Sequence, residues 1–286
     1  MNERKALEAT TSGIVSVLTD ILSLADRDSF GRAQRVRDRA TALADELGLG
    51  RPWSIEIGAL LCRVGNMTVP ESVQAKAAAR TPLTPAEAGL LRRVPEIGSK
   101  VLSHLPQFAE IAALIRWHDA RYDGSEEPDA PRGDALPIGA RILKVAHDSI
   151  GLEQHLTPEE AWSELSARSG WYDPAVLAAL ERLRRQEGRP GTARFEVRAA
   201  RRGSLQCGWR LHQDLLAADG TLLLGAGHEL SPVALESIAN FAAIADLKEP
   251  IMVEVPLAEP DATRPGAAAE PAPERAPSRV AELIST

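Results

Sequence analysis

Between about Ser29 and Arg185 no stretch of this chain alternates apolar and polar residues as a half-buried strand must, whereas apolar residues recur there at helical spacing. That half of the chain is therefore expected to be an all-α bundle. Ser29 is placed to cap a helix that Gly48-Leu49-Gly50 stops near Leu47. Trp53 to Val64 is apolar enough for a buried helix. Thr84, with Glu87 three residues on, has the pattern of a capping box. Further helices are expected over Phe108–Ala120, Pro137–Ser149, Pro158–Ser169 and Pro174–Arg185. Asp119 to Arg132, charged and Pro-rich, is expected to be an exposed loop. Upstream, Ile14, Val15, Leu18, Ile21, Leu22 and Leu24 form an apolar stripe on a helix over about Glu3–Leu24, suited to docking on the bundle or to pairing with a second copy.

After Arg185 the pattern changes. QEGRPGTA (Gln186–Ala193) reads as a linker. The FEVRAA stretch, within Arg194–Ala200, alternates like a strand. Leu211–Ala217 and Thr221–Leu224 flank Ala218-Asp219-Gly220, a hairpin turn signal. Gly225 and Gly227 break the second run. Ser231 is expected to cap a helix to about Ala245, and Pro250–Val255 to form a last strand. The fold class is thus mainly α: an N-terminal helix over residues 1–28, a helical domain over 29–185, a small α+β module over 194–256, and a Pro/Ala-rich tail over 257–286 that is expected to be disordered. Within the tail, Val280–Ile284 is the one short stretch suited to a helix or a docking peptide. Arg194, Arg198, Arg201, Arg202 and Arg210 gather near the start of the module, where a solvated strand face is expected.

Composition narrows the function classes. Of the 286 residues, 44% are hydrophobic but only 4% aromatic, so the core must be built from Leu, Ala, Ile and Val. A net charge of -7 argues against a general nucleic-acid binder. Cys62 and Cys207 lie too far apart in sequence to suggest a disulfide framework, and no apolar run approaches a membrane span. A cytoplasmic protein is expected, and the Ala, Arg and Leu content points to a GC-rich bacterial genome.

Trp117 to Pro137 reads WHDARYDGSEEPDAPRGDALP. It resembles the signature of HD-GYP domains, which contains His-His-Glu, then Asp-Gly, then Gly-Tyr-Pro, and later an Ile-Pro-type ending. His118, Asp123, Gly124, Pro128, Gly133 and Pro137 keep that pattern. Asp119 stands for the second His, Ala120 for the Glu, and Glu126-Glu127 for Gly-Tyr. The resemblance covers about Leu7 to Leu180. It includes Arg35-Val36, Leu60–Asn66 with Val69-Pro70, Leu83–Glu87, Val94–Gly98, Arg141–His147 and Tyr172-Asp173-Pro174.

What the resemblance implies is a helical HD-type scaffold, a site of two or three iron or manganese ions, cyclic di-GMP as substrate, and partners such as GGDEF or receiver-domain proteins. The ligand positions are altered. Arg32, Arg63 and Val94 stand where the family has metal ligands, and neither a guanidinium nor a valine can ligate a metal. Cys62, His118, Asp119 and His147 remain as donors.

Three readings of these residues compete. Cys62, His118, Asp119 and His147 could form a remodelled mononuclear metal site. Alternatively Cys62 packs as a small buried thiol, Asp119 pairs with an Arg, and the histidines are simply polar; this is the favoured reading. Third, Arg32, Arg63 and Arg93 could cluster in the old metal pocket and hold an anion such as a nucleotide phosphate, against the plainer expectation that Arg63 neutralises Asp119 or Asp123 and Arg93 faces solvent. The expected function is a non-catalytic signalling protein, without a cofactor, that binds a partner protein or cyclic di-GMP. The alternatives are an iron- or manganese-dependent cyclic di-GMP phosphodiesterase with an atypical site, or a metal-free module of the HDOD type.

Overall fold

The computed structural model describes residues 27–50, 52–126, 130–187 and 195–257. The expected N-terminal helix, the linker from residue 188 and the tail lie outside the described residues, as do Pro128 and Arg194.

Nine helices are described in the first part: α1 Arg27–Glu46, α2 Trp53–Leu61, α3 Glu71–Ala78, α4 Pro85–Arg92, α5 Val94–Leu102, α6 Ala109–Trp117, α7 Ile138–Glu153, α8 Pro158–Ala167 and α9 Pro174–Glu187. The main core joins Val36, Ala40 and Leu43 of α1 to Ile55 and Ala59 of α2, Leu114 of α6, Ile142, Leu143 and Val145 of α7, Leu165 of α8, and Val176 and Leu180 of α9. Its side chains are mostly aliphatic, as the scarcity of aromatics requires. A second cluster packs Ile57, Leu61 and Cys62 against Leu102, Phe108, Ile111 and Ile115. Burying aliphatic area on this scale is the main source of stability, at about 25 cal/mol per Å² of apolar surface.

Several helix ends differ from expectation. α1 already covers Arg27, so Ser29 lies inside the helix rather than at its cap. α2 stops at Leu61, and Val64–Thr68 form a 3₁₀ turn instead of a continued helix. Gly65 lets this turn pass close beneath α5, since a Cβ there would run into the Val94 carbonyl. The capping box at Thr84 is formed, with the Thr84 and Glu87 side chains each bonded to the other's backbone N–H. Thr157 and Glu160 form a second one at α8. The segment after α6 is half-exposed, yet it is tied down. Tyr122 and Asp123 donate their N–H groups to the carbonyls of Trp171 (3.0 Å) and Gly170 (2.9 Å).

The C-terminal module holds β1 Phe195–Ala200, β2 Arg210–Leu211, β3 Leu215–Leu216, β4 Leu222–Leu224, α10 Pro232–Ala242 and β5 Ile251–Pro256. β1, β5 and β2 form an antiparallel sheet in that order, and β3 pairs with β4 across the Asp219-Gly220 turn. Ser231 caps α10 by accepting from the Ala234 N–H at 3.1 Å. The module rests on α1. Gly31 approaches Ala226 too closely for any side chain. Gln34 accepts from the Glu229 N–H at 2.6 Å, and Arg37 reaches the Glu229 carboxylate at 3.3 Å. Arg210 is not part of a solvated basic face: its side chain is half-buried and pairs with Asp38 of α1 at 2.5 Å.

Candidate functional site

Three chain segments converge on one centre. The end of α2 brings Cys62 and Arg63, the end of α6 brings His118 and Asp119, and α7 brings Lys144, His147 and Asp148. Each histidine is held by a specific partner. His118, only 2% exposed, donates its Nδ1–H to the Ile115 carbonyl at 2.8 Å. Its Nε2 lies 3.6 Å from Asp119 Oδ1. Burial lowers the proton affinity of His118, and Asp119 opposes this only in part. His147 meets His118 edge-on, with ring centroids 6.0 Å apart. Its Nε2 is 3.1 Å from Arg63 Nη1 and its Nδ1 is 3.7 Å from Asp148 Oδ1.

Arg63 is gripped from two sides. With its amide oxygen turned toward the guanidinium, Asn66 accepts from Nη2 at 2.7 Å and from Nε at 2.9 Å. The expectation that Arg63 neutralises Asp119 or Asp123 is corrected here: its hydrogen bonds go to His147 and Asn66. The Asp119 side chain, half exposed, sits beside His118 instead of an Arg. Partial burial would raise its carboxyl, but His118 and Lys144 outweigh that and hold it below the usual range.

Cys62 is buried, and its thiol donates to the Ala59 carbonyl at 3.2 Å. Burial pushes this thiol up to about 12, against the opposing effect of Arg63. Val94 is buried in an apolar cluster with Val69 and Val73. Arg93 is exposed at the junction of α4 and α5, and Arg32 is half-buried on α1.

Asp148, which none of the sequence motifs singles out, is the centre's most heavily bonded carboxylate. It accepts from the Tyr172 hydroxyl at 2.8 Å and pairs with Lys144 at 3.0 Å and Arg168 at 3.6 Å. Burial alone would raise its carboxyl, yet His147, Lys144 and Tyr172 together hold it well below the carboxylate range. Trp171 completes this network, with the Arg121 guanidinium 3.8 Å from its ring centroid and that of Arg168 at 5.1 Å. The Lys144–Asp148 spacing of four residues along a helix was the available signal.

Metal ions bound by HD-type sites need deprotonated thiolates, free imidazole lone pairs or carboxylates. The residues present do not fit. The Cys62 thiol is turned to the Ala59 carbonyl, Val94 has no donor, and the His147 Nε2 lone pair is taken by Arg63. Among the described residues, no group of three or more His, Cys, Asp or Glu side chains is disposed to hold a metal ion.

The helical bundle, with histidines and carboxylates brought together from α6 and α7, agrees with an HD-type protein. The family model described as an HD domain matches residues 16–176, more than half of the chain, and the chain belongs to that family. It is 33% identical over 197 residues to the cyclic di-GMP phosphodiesterase response regulator RpfG of Xanthomonas campestris pv. campestris, covering 65% of this chain and 50% of that protein. It is 28% identical over 188 residues to 3'3'-cGAMP-specific phosphodiesterase 2 of Vibrio cholerae, covering 61% of this chain and 35% of the relative. The chain thus spans half or less of the length of these relatives. An HDG"Y"P protein of Bdellovibrio bacteriovorus, Bd1817, overlays with a TM-score of 0.47 at 20% identity, covering 54% of this chain and 51% of that one. That overlay is too loose to carry an argument. No helix among the described residues is long and apolar enough to cross a membrane.

Proposed function

We propose that this chain is a non-catalytic member of its family, acting in bacterial signalling by binding a protein partner or cyclic di-GMP. The observation that carries this reading is the donor set. Metal-assisted phosphodiester hydrolysis needs ions that polarise the phosphate and generate a hydroxide nucleophile near neutral pH. Cys62 instead directs a buried thiol to a backbone carbonyl, Val94 packs in a separate apolar cluster, and Arg63 sets a guanidinium on an imidazole. Relatives named as phosphodiesterases of cyclic di-GMP and 3'3'-cGAMP support cyclic dinucleotides as the ligands to try first.

The competing reading, a metal-dependent phosphodiesterase with an atypical site, draws its support from the approach of His118, Asp119 and His147. One assay separates the two. The chain is incubated with cyclic di-GMP or 3'3'-cGAMP and added Mn²⁺ or Fe²⁺, products are resolved by chromatography, and binding is followed by calorimetry. Binding or partner capture without turnover is expected. Metal-dependent release of a linear dinucleotide would establish the phosphodiesterase instead.

A further inference from the structure

We propose that the Arg63 guanidinium occupies the seat of a metal ion, as a tethered cation that takes the imidazole lone pair a divalent ion would take. The inference rests on the non-catalytic reading above and adds the residue that enforces it.

A guanidinium has donors and no acceptor. The 3.1 Å contact from Arg63 Nη1 to His147 Nε2 therefore fixes the imidazole as an acceptor at Nε2, with its proton on Nδ1. Nδ1 in turn faces Asp148 Oδ1 at 3.7 Å. Carboxylate, imidazole and cation in that order is the arrangement found around metal-ligating histidines, where the second nitrogen is oriented by a carboxylate or a backbone carbonyl. Here the cation is organic. The second imidazole is set up the same way: His118 gives its Nδ1 proton to the Ile115 carbonyl, which leaves Nε2 with its lone pair beside Asp119. Both rings thus hold the tautomer a ligand needs, at a centroid separation of 6.0 Å.

Arg63 is not a loose surface arginine that happens to pass by. Nη1 goes to His147, and Nη2 and Nε go to Asn66 at 2.7 and 2.9 Å. Asn66 sits on the 3₁₀ turn that Gly65 fixes against the Val94 carbonyl, so the grip belongs to the fold of that turn. Entry of an ion would have to expel the guanidinium from both partners. A carboxylate at position 63 would do the opposite, adding a donor to His147, His118 and Asp119.

The test uses the full chain, stripped with chelator, with Zn²⁺ and Mn²⁺ as probes in calorimetry and thermal unfolding. Wild type and Arg63→Lys are expected to take up no ion at this centre. Arg63→Asp is expected to bind one ion per chain, at least about tenfold more tightly than wild type, with a melting temperature that rises on loading. Adding His147→Asn to that variant should abolish the gain, which separates this centre from the other histidines. A folded Arg63→Asp chain that, like wild type, takes up no ion would overturn the inference while leaving the non-catalytic reading standing. Wild type that binds as tightly as Arg63→Asp would overturn both. Should Arg63→Asp not fold, long-range nitrogen–proton spectra of wild type decide: an unprotonated Nε2 on His147 is expected, and a proton on that nitrogen would refute the plug.

Discussion

At the scale of single residues, burial decides what the ionisable groups of the centre can do. Cys62 and Cys207 are both free, but Cys62 is buried with its thiol pushed up to about 12, whereas Cys207 is exposed. A thiol reagent should therefore titrate one cysteine in the native protein and two after denaturation; rapid native labelling of Cys62 would contradict the description of the centre. The pH dependence of stability has a definite sign. The folded proton affinity of His118 lies below its ordinary value of 6.5, so the unfolded chain binds that proton first as pH falls. Its contribution is complete above about 6.5 and is lost below it. Asp148 lies well below its ordinary 3.8, so its contribution is complete above 3.8 and is lost as the pH falls from there toward its depressed folded value. Denaturant melts across pH should show two successive losses on acidification, and His118→Asn, which keeps a donor for the Ile115 carbonyl, should remove the first. A first loss that survives in that variant would assign it to another group.

At the scale of elements, Gly65 is the backbone position that most constrains the centre. Gly65→Ala would push a methyl into the Val94 carbonyl, forcing apart the 3₁₀ turn and α5, at a cost of about 1–3 kcal/mol for overpacking. A melting temperature equal to wild type would show that the turn can yield. What the sequence reveals at this scale depends on how local the cause is. The Thr84–Glu87 box and the Asp219-Gly220 turn are set by residues within four positions of each other, and both were legible. α5 is not among the helices expected from sequence, although Pro95 suits a first turn. α3 was missed because its Ala-rich segment buries only Val73 and has little apolar stripe. The partner of Arg63 was not legible, since His147 lies 84 residues away and only packing of α2 against α7 joins them.

At the scale of the whole molecule, α1 lies between two neighbours. One side carries Val36, Ala40 and Leu43 into the bundle core, while Gly31, Gln34 and Asp38 meet the C-terminal module. Arg39 binds Glu153 of α7, the helix that carries His147, at 3.0 Å. Gly31→Val should lift the module by clashing with the Ala226 carbonyl, while the helical core remains formed. Hydrogen exchange checks this: amides over 225–230 should lose protection while those over 140–150 keep it, and protection lost together in both would show that the module and bundle unfold as one unit.

The most direct test of the account is the metal content of the full chain. Purified anaerobically and measured by elemental mass spectrometry, it is predicted to carry well under one equivalent of iron, manganese or zinc, with a melting temperature that chelator does not change. Two equivalents of iron or manganese per chain, with stability lost on chelation, would contradict it and make cyclic dinucleotide hydrolysis the function to pursue.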